Sequence, residues 1–433
     1  MNRLIIAIIG IFVCWSCSKK DDPEPIPEPV IQHTVLVYMS GENNLTKDSR
    51  YPNESYLADD LEEMKEGSYL LSKDQRLIVF IDSVGTKNYP HFVEIANGKA
   101  TEVYRYESDF YASDPEKFRE IVKWTIDKYP SEEYSLVLWG HATGWAVSND
   151  TIASARKYTR AYGQDKGWDN SSSSTDSSSS TEMWMNITQM AKALEGLPKF
   201  RYIFADCCCF MCVESAYELR NVADYLIGSP AEIPGEGAPY DIIVPKLFSQ
   251  SPTFYKEICD TYYNYFMDAY QIPPYTDKST NSYLIGYSVP LSVIDLSKMD
   301  NLAQATNQVM KSFATYYPEV LNLANIPFYF GYDYPVMYDM KSVIQKYAPS
   351  SDYAQWLSAY NQAVPYSLVS KRWMTIYSMI KNNYDLFPSD ENVYGCVSMF
   401  FPQNNYDYSI FKYNTRIKNY QWYYAVNWSN FGW

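Results

Sequence analysis

Four of the eight cysteines in this 433-residue chain, Cys207, Cys208, Cys209 and Cys212, fall within six positions. A cysteine can be a nucleophile, a metal ligand or a disulfide partner, and spacing decides which of these is open. Disulfide scaffolds distribute their cysteines along a short chain; this cluster does not. Structural zinc sites pair CxxC units or combine cysteine with histidine at fixed offsets. Here no CxxC…CxxC pair exists, and the histidines are only three, His33, His91 and His141. A redox or metal role for Cys207–Cys212 is therefore the weakest reading. The stronger one is a thiol that attacks an electrophile beside an imidazole that manages the protons.

Such a pair has to be held by rigid elements. Residues 202–205 (YIFA) are consecutively apolar, as in a strand buried on both faces, and Val213, Ala216, Tyr217 and Leu219 recur at helical spacing after the cysteines. Residues 134–139 (YSLVLW) form another buried strand, and His141 follows its carboxyl end. In open α/β sheets ligands sit beyond the carboxyl ends of the strands, so His141 and the thiols belong on one rim. His33 stands at the amino end of the strand over 33–39, on the wrong rim, and His91 belongs to a hairpin region with Asn97-Gly98 at its turn. His141 is thus the well-placed partner. Between these elements the pattern predicts a helix over 55–65, a buried strand over 76–81 and a helix opening at Asp114 and running to about 129, and towards the C-terminus it predicts a buried strand over 393–402 with Cys396 in the core. Strands and helices alternate, which predicts a mostly parallel, doubly wound sheet.

Four segments then show a family resemblance. VLVYMSGENNL (35–45), LVLWGHATGW (136–145), DCCCFMCVESAYEL (206–219) and DYLIGSPAEIPGEGAPYD (224–241) are similar, in this order, to the clostripain family of cysteine peptidases, as is YGCVSMFFP at 394–402. The resemblance covers most of the chain beyond residue 33. It implies an α/β fold: a caspase-like sandwich with a mostly parallel central sheet flanked by helices, plus a smaller C-terminal α+β region. On it, 33–250 is the catalytic domain, with an insert at 150–182, and 251–433 is a sheet extension and C-terminal domain. The family's nucleophile stands two residues after aspartate and six before glutamate, so Asp206 and Glu214 select Cys208. A vicinal disulfide with Cys207 or Cys209 would mask it. The dyad is His141 and Cys208, with the backbone N–H groups of Ala142 and Cys208 holding the oxyanion; Ala142 stands where most members have glycine. The resemblance assigns Asp206 and Glu236 to a pocket for arginine or lysine before the cut bond, with a strand-end cap and a solvated loop charge as their plainer roles. It makes Arg156, Lys157, Arg160 and Lys166 candidates for self-processing, against a plain surface loop. It requires no cofactor and allows calcium, although no EF-hand-like loop is present.

The remaining features concern address and partners. Arg3 and the apolar run 4–15 read as a signal segment too short to span a membrane. Ser16-Cys17 resembles a lipobox with Cys17 as the lipidated residue, so 1–17 is the lipoprotein signal, and the Lys-Asp-Asp that follows resembles the export signal of Bacteroidetes surface lipoproteins. Residues 18–32, with DPEPIPEP at 22–29, form a stiff acidic tether. This implies an outer-membrane lipoprotein, surface-exposed or secreted. The net charge of −15 argues against nucleic acid and suits polypeptide substrates with basic residues. The serine-rich run 170–181 is low-complexity loop. The 43 tyrosines leave open an alternative, a catalytically inactive peptidase-like surface lipoprotein that binds glycans or peptides.

Overall fold

The structure is a computed structural model. It describes residues 31–47, 54–85, 88–146, 161–167, 183–269, 289–369, 373, 375, 394–409 and 411–433. Cys17, residues 18–30 of the tether, the serine-rich run, Arg156, Lys157 and Arg160 lie outside the described residues. Ile31 and Gln32, the tether's last two residues, are hydrogen-bonded to the fold, the N–H of Gln32 donating to the carbonyl of Asp74 at 2.8 Å.

The consecutively apolar runs become the centre of one sheet. In chain order its parallel strands are β1 (His33–Gly41), β2 (Gln75–Ser83), β5 (Glu133–Gly140), β8 (Phe200–Asp206) and β9 (Ala223–Gly228), preceded on the β2 side by the hairpin β3 (His91–Ala96) and β4 (Lys99–Arg105). The spatial order β4-β3-β2-β1-β5-β8-β9 continues into β10 (Leu291–Asp295) and β13 (Tyr366–Leu368), both antiparallel additions. The predicted hairpin turn is present, with Asn97 and Gly98 both at positive φ (51° and 74°).

The central strands are apolar throughout because both faces are covered. Strand periodicity sends Leu36 and Tyr38 to one face and Val35 and Val37 to the other. The first face packs on α2 (Pro115–Lys128), α3 (Ile187–Leu194) and α4 (Val213–Leu219), the second on α1 (Tyr56–Gly67), α5 (Tyr240–Leu247) and α6 (Phe254–Ala269). The result is the expected three-layer α/β sandwich. Asp114 caps α2 as its sequence context predicts, accepting from the N–H of Glu116 at 2.8 Å and Lys117 at 3.0 Å.

Several elements depart from the sequence reading. The apolar run 393–402 joins a sheet only at β14 (Ser398–Met399), beside β12 (Pro335–Asp339) and β11 (Phe328–Gly331). The cause is Asp339, whose buried carboxylate accepts the N–H of Gly395 at 2.7 Å and Cys396 at 3.1 Å and so takes these groups out of any ladder. Cys396 adopts φ 61° there, and its thiol is buried. Two short strands near the insert, β6 (Tyr162–Asp165) and β7 (Met183–Met185), have no clear sequence signal. Among the described residues, no helix is long and apolar enough to cross a membrane.

Candidate active site

Strand register places His141 and Cys208 level with each other. β5 and β8 are parallel neighbours, and Trp139 stands opposite Asp206. His141 lies two residues beyond Trp139 and Cys208 two beyond Asp206, on adjoining strands that run about 4.8 Å apart. Each chain then leaves the sheet in a tight loop, and the two loops are in contact. A Cβ on Gly144 would lie 2.3 Å from the carbonyl oxygen of Cys209 and 3.2 Å from Cys212 Sγ. Gly144 also sits at φ +56°, so this position needs glycine twice over.

The His141 loop is fixed by its bonds to β6. The N–H of Thr143 donates to the carbonyl of Ala161 at 2.8 Å, and that of Gly163 donates to the carbonyl of His141 at 2.8 Å. These bonds flank the Ala142–Tyr162 bridge and leave the Ala142 N–H outside the pair. On the ring, Nε2 lies 2.9 Å from Asn44 Oδ1. An amide oxygen only accepts, so Nε2 carries the hydrogen and the neutral imidazole keeps its lone pair on Nδ1. In the sequence, Asn44 is marked only as one of the turn residues 40–44 that end the strand over 33–39. Its place on the same rim as His141 was the available signal.

The cysteine loop is equally determined. Cys209 takes φ 58°, and its N–H donates to the carbonyl of Ala231 at 2.8 Å; the N–H of Met211 donates to Ser229 at 3.0 Å. Cys207, Cys209 and Cys212 are buried, while Cys208 is half-buried, so only one thiol of the cluster faces outward. All six cysteines of the described residues are free thiols, and the vicinal disulfide is not formed. Cys207 and Cys209 are core residues on either side of the one that turns out. Burial, with the carboxylate of Glu232 adding to it, pushes the Cys208 thiol up to about 12. One opposing contact is the N–H of Ile233, which donates to Sγ at 3.4 Å. Glu232 is a second site residue that pattern reasoning passed over. Glu214, the other mark that selects Cys208, is buried in α4 and accepts the N–H of Phe400 at 2.8 Å, tying the cysteine loop to the C-terminal region.

The two pocket carboxylates have different surroundings. Asp206 is buried and accepts from the N–H of Ala238 at 3.1 Å, the hydroxyl of Tyr240 at 2.8 Å and that of Tyr262 at 3.0 Å. Burial raises its pKa and these three donors offset part of the rise. A Cβ on Gly237 would be 2.9 Å from Asp206 Oδ2, so Asp206 also pins the loop 234–237 to the end of β8. Glu236 is exposed on that loop. Below Asp206 lies Asp60 of α1, which accepts from Trp139 Nε1 at 2.5 Å and is pushed up to about 10 by burial and then by Asp206. Glu63, one turn on, accepts the N–H of Tyr240 at 2.9 Å. The region beneath the cysteine loop is therefore acidic on several elements. Lys166 is half-buried, with its N–H on the carbonyl of Glu42 at 3.1 Å. Among the described residues, the group with metal-ligand geometry is Glu42, Asp82 and Asp165, at the rim of β1, β2 and β6.

The α/β sandwich, with a thiol and an imidazole on its carboxyl rim, has the architecture of the caspase-like cysteine peptidases. The sequence profile of the clostripain family matches residues 37–433, and the chain belongs to that family. It is similar in structure to a secreted C11 cysteine protease from Bacteroides thetaiotaomicron in complex with an irreversible peptide inhibitor, at 26% identity and TM-score 0.71, covering 92% of this chain and 99% of the other. It shares its fold with an inactive zymogen C11 protease from Parabacteroides distasonis, at 23% identity and TM-score 0.68 with the same coverage. A further secreted C11 protease from Bacteroides thetaiotaomicron has 21% identity, TM-score 0.69 and that coverage again. No curated protein matches the chain.

Proposed function

We propose that the protein is a lipid-anchored endopeptidase that cuts after arginine or lysine with a Cys208–His141 dyad. The observation that carries this reading is the level register of His141 and Cys208 on adjoining parallel strands, with their loops packed through Gly144. Cys208 Sγ attacks the scissile carbonyl and His141 takes the thiol proton at Nδ1, the ring nitrogen that does not face Asn44. The C–S bond forms as the carbonyl becomes an oxyanion, held by the N–H groups of Ala142 and Cys208. His141 then returns the proton to the leaving amine, and a water activated by the same imidazole releases the acyl group.

Specificity follows from charge. Glu236 meets the cation of the substrate at the exposed loop, while Asp206 sets the loop's position and adds negative potential from beneath. Self-processing is read at Arg156, Lys157 or Arg160, because a cut after Lys166 would have to disrupt a backbone held at both residues: Lys166 N–H on Glu42, and Gly167 N–H on Asp165 at 2.9 Å. Cys17 carries the lipid, and residues 18–32 hold the enzyme off the outer membrane.

The test is hydrolysis of matched fluorogenic peptides with Arg, Lys, Asp or Leu before the cut, by wild type and Cys208→Ala. Turnover confined to Arg and Lys and abolished in the variant is expected. Turnover after Asp or Leu would remove the roles of Asp206 and Glu236. Turnover that survives in Cys208→Ala would move the nucleophile. No turnover at all would favour the inactive binding lipoprotein. That alternative draws less support from the aromatic residues than composition suggests: apart from the neighbours Tyr316 and Tyr317, the exposed tyrosines of the described residues, such as Tyr69, Tyr104, Tyr265 and Tyr408, lie on separate elements.

A further inference from the structure

One cluster of ionisable groups has no part in the peptidase chemistry. Glu42 follows β1, Asp82 lies near the end of β2 and Asp165 ends β6. One oxygen from each can be chosen so that all three lie within 4.8 Å of one another. All three residues are buried, with Asp82 only 1% exposed. No donor reaches either oxygen of Asp82 or Glu42 Oε2, and the side chain that Glu42 and Asp82 each meet at hydrogen-bonding range is another carboxyl group, that of Asp165. Carboxylates buried this deeply are ordinarily paired, hydrogen-bonded or bound to a metal. The charged groups that weigh most on Glu42 and Asp82 are Asp165 and Asp109, both negative, together with each other's charge at Asp82.

Asp165 is held in place for a ligand's role. Its Oδ1 accepts the N–H of Gly167 at 2.9 Å and its Oδ2 that of Ala112 at 2.5 Å, and each oxygen keeps a further lone pair. Two neutral oxygens stand close by in the fold. Ser40 is opposite Asp82 in the β1–β2 register, and Ser113 follows Ala112; both hydroxyls are buried without a partner. Five orphaned oxygens in one buried region are what a hard cation would satisfy.

We propose that Glu42, Asp82 and Asp165 bind one hard divalent cation of calcium's size. An all-oxygen donor set excludes soft metals. A buried set of three protein carboxylates suits calcium, which takes six to eight oxygens in flexible geometry, better than magnesium, which keeps several waters and is held by one or two carboxylates. The residues therefore fit the ion that the family resemblance allows, at a site nothing in the motif pattern indicated.

The location gives the ion a structural consequence. Glu42 is two residues from Asn44, whose Oδ1 orients His141. Its carbonyl accepts the N–H of Lys166, and Asn43 Nδ2 donates to the carbonyl of Gln164 at 2.8 Å. The ion would join the turn that carries Asn44 to β6, which carries the His141 loop. It touches neither Cys208 nor the pocket carboxylates, so the site stands or falls separately from the peptidase reading.

The test uses the full chain after chelator treatment, with calcium or magnesium chloride added, read by native mass spectrometry, calorimetric titration and thermal melting. One calcium per chain is expected, with a rise in melting temperature and weaker binding of magnesium. Asp82→Asn and Glu42→Gln should each lower calcium affinity by at least about tenfold, by analogy with the loss from weaker outer-shell changes. The proposal is overturned if chelator-treated wild type takes up no calcium and melts at the same temperature with it; shared protons then hold the carboxyl groups together. It is also overturned if both variants bind calcium as wild type does, or if magnesium binds as tightly. Should neither variant fold, the wild-type measurements decide alone.

Discussion

A thiol held at about 12 is almost wholly protonated at neutral pH, and this can be tested directly. Its ordinary value here is 9.0, so the shift to about 12 removes a factor of about 10³ in thiolate at pH 7.5. A more basic thiolate is a better nucleophile, with a Brønsted slope of about 0.4–0.5, which returns a factor of about 16–30. The net expectation is that Cys208 reacts with a small disulfide probe about 30–60 times more slowly than an ordinary cysteine. Its rate should climb about tenfold per pH unit from 7 to 10, with no plateau. The other five thiols of the described residues do not confuse the measurement, because burial raises each of them and leaves it inaccessible, and a chain begun at Asp22 carries neither Cys14 nor Cys17. Stopped-flow labelling of wild type against Cys208→Ala isolates the signal. A fast rate that is flat between pH 6 and 8 would mean a resting thiolate–imidazolium pair, and the reasoning from burial and Glu232 would be refuted. The functional corollary is that deprotonation accompanies attack, so a reactive substrate should acylate the enzyme far faster than the probe labels it.

Other expectations follow from single contacts. Asn44→Ala should lower kcat by about 10- to 100-fold with little change in KM, a part of what a well-placed acid–base group supplies; Asn44→Asp, which keeps the acceptor and adds a charge, should restore much of the rate and shift the histidine limb of the pH profile upward. Gly144→Ala should cost about 1–3 kcal/mol in a denaturant melt and most of the activity, because the added carbon meets a backbone oxygen at a positive φ. Asp60 should make the protein less stable as pH rises. Its native value of about 10 lies above the ordinary 3.8, so the folded chain holds a proton that the unfolded chain releases. Stability is therefore lost progressively from about pH 4 towards 10, and Asp60→Asn should gain about 2–4 kcal/mol at pH 7 and almost nothing near pH 4. Parallel urea curves for the two proteins at pH 4, 7 and 9 would refute that.

Legibility in the sequence followed the physics of each element. Four of the five parallel strands were readable because burial on both faces leaves uninterrupted apolar runs; β9, with Asp224 exposed and Tyr225 half-buried, lacks such a run. His141 and the cysteine cluster could be placed on one rim because a strand end is a recognisable place for chemistry, while the choice of Cys208 within the cluster came from the family resemblance. Asn44, Glu232 and Asp60 were not readable, since their importance lies in contacts between segments 97, 24 and 146 residues apart: Asn44 with His141, Glu232 with Cys208, Asp60 with Asp206. The run 393–402 misled for a related reason. Its composition is that of a strand, but a carboxylate from residue 339 captures its backbone N–H groups. β6 escaped notice because four residues carry no period.

That short strand bears on what processing would do. β6 is joined to the rest of the chain by 147–160 on one side and 168–182 on the other. Within the described residues it is held instead by its bonds: Gly163 N–H to His141, Thr143 N–H to Ala161, Lys166 N–H to Glu42, and the Tyr162 hydroxyl to the carbonyls of Tyr38 at 3.1 Å and Trp139 at 3.2 Å. Tyr162 is fully buried, so these bonds are sheltered from water. A cut at Arg156, Lys157 or Arg160 would sever the covalent link between His141 and β6 without touching any of them. The two pieces should therefore separate on a denaturing gel, elute as one species in gel filtration and keep a full rate of peptide hydrolysis. If the cut protein instead falls apart in native buffer, or loses activity in proportion to cutting, then the chain's continuity and not this network holds the histidine in position.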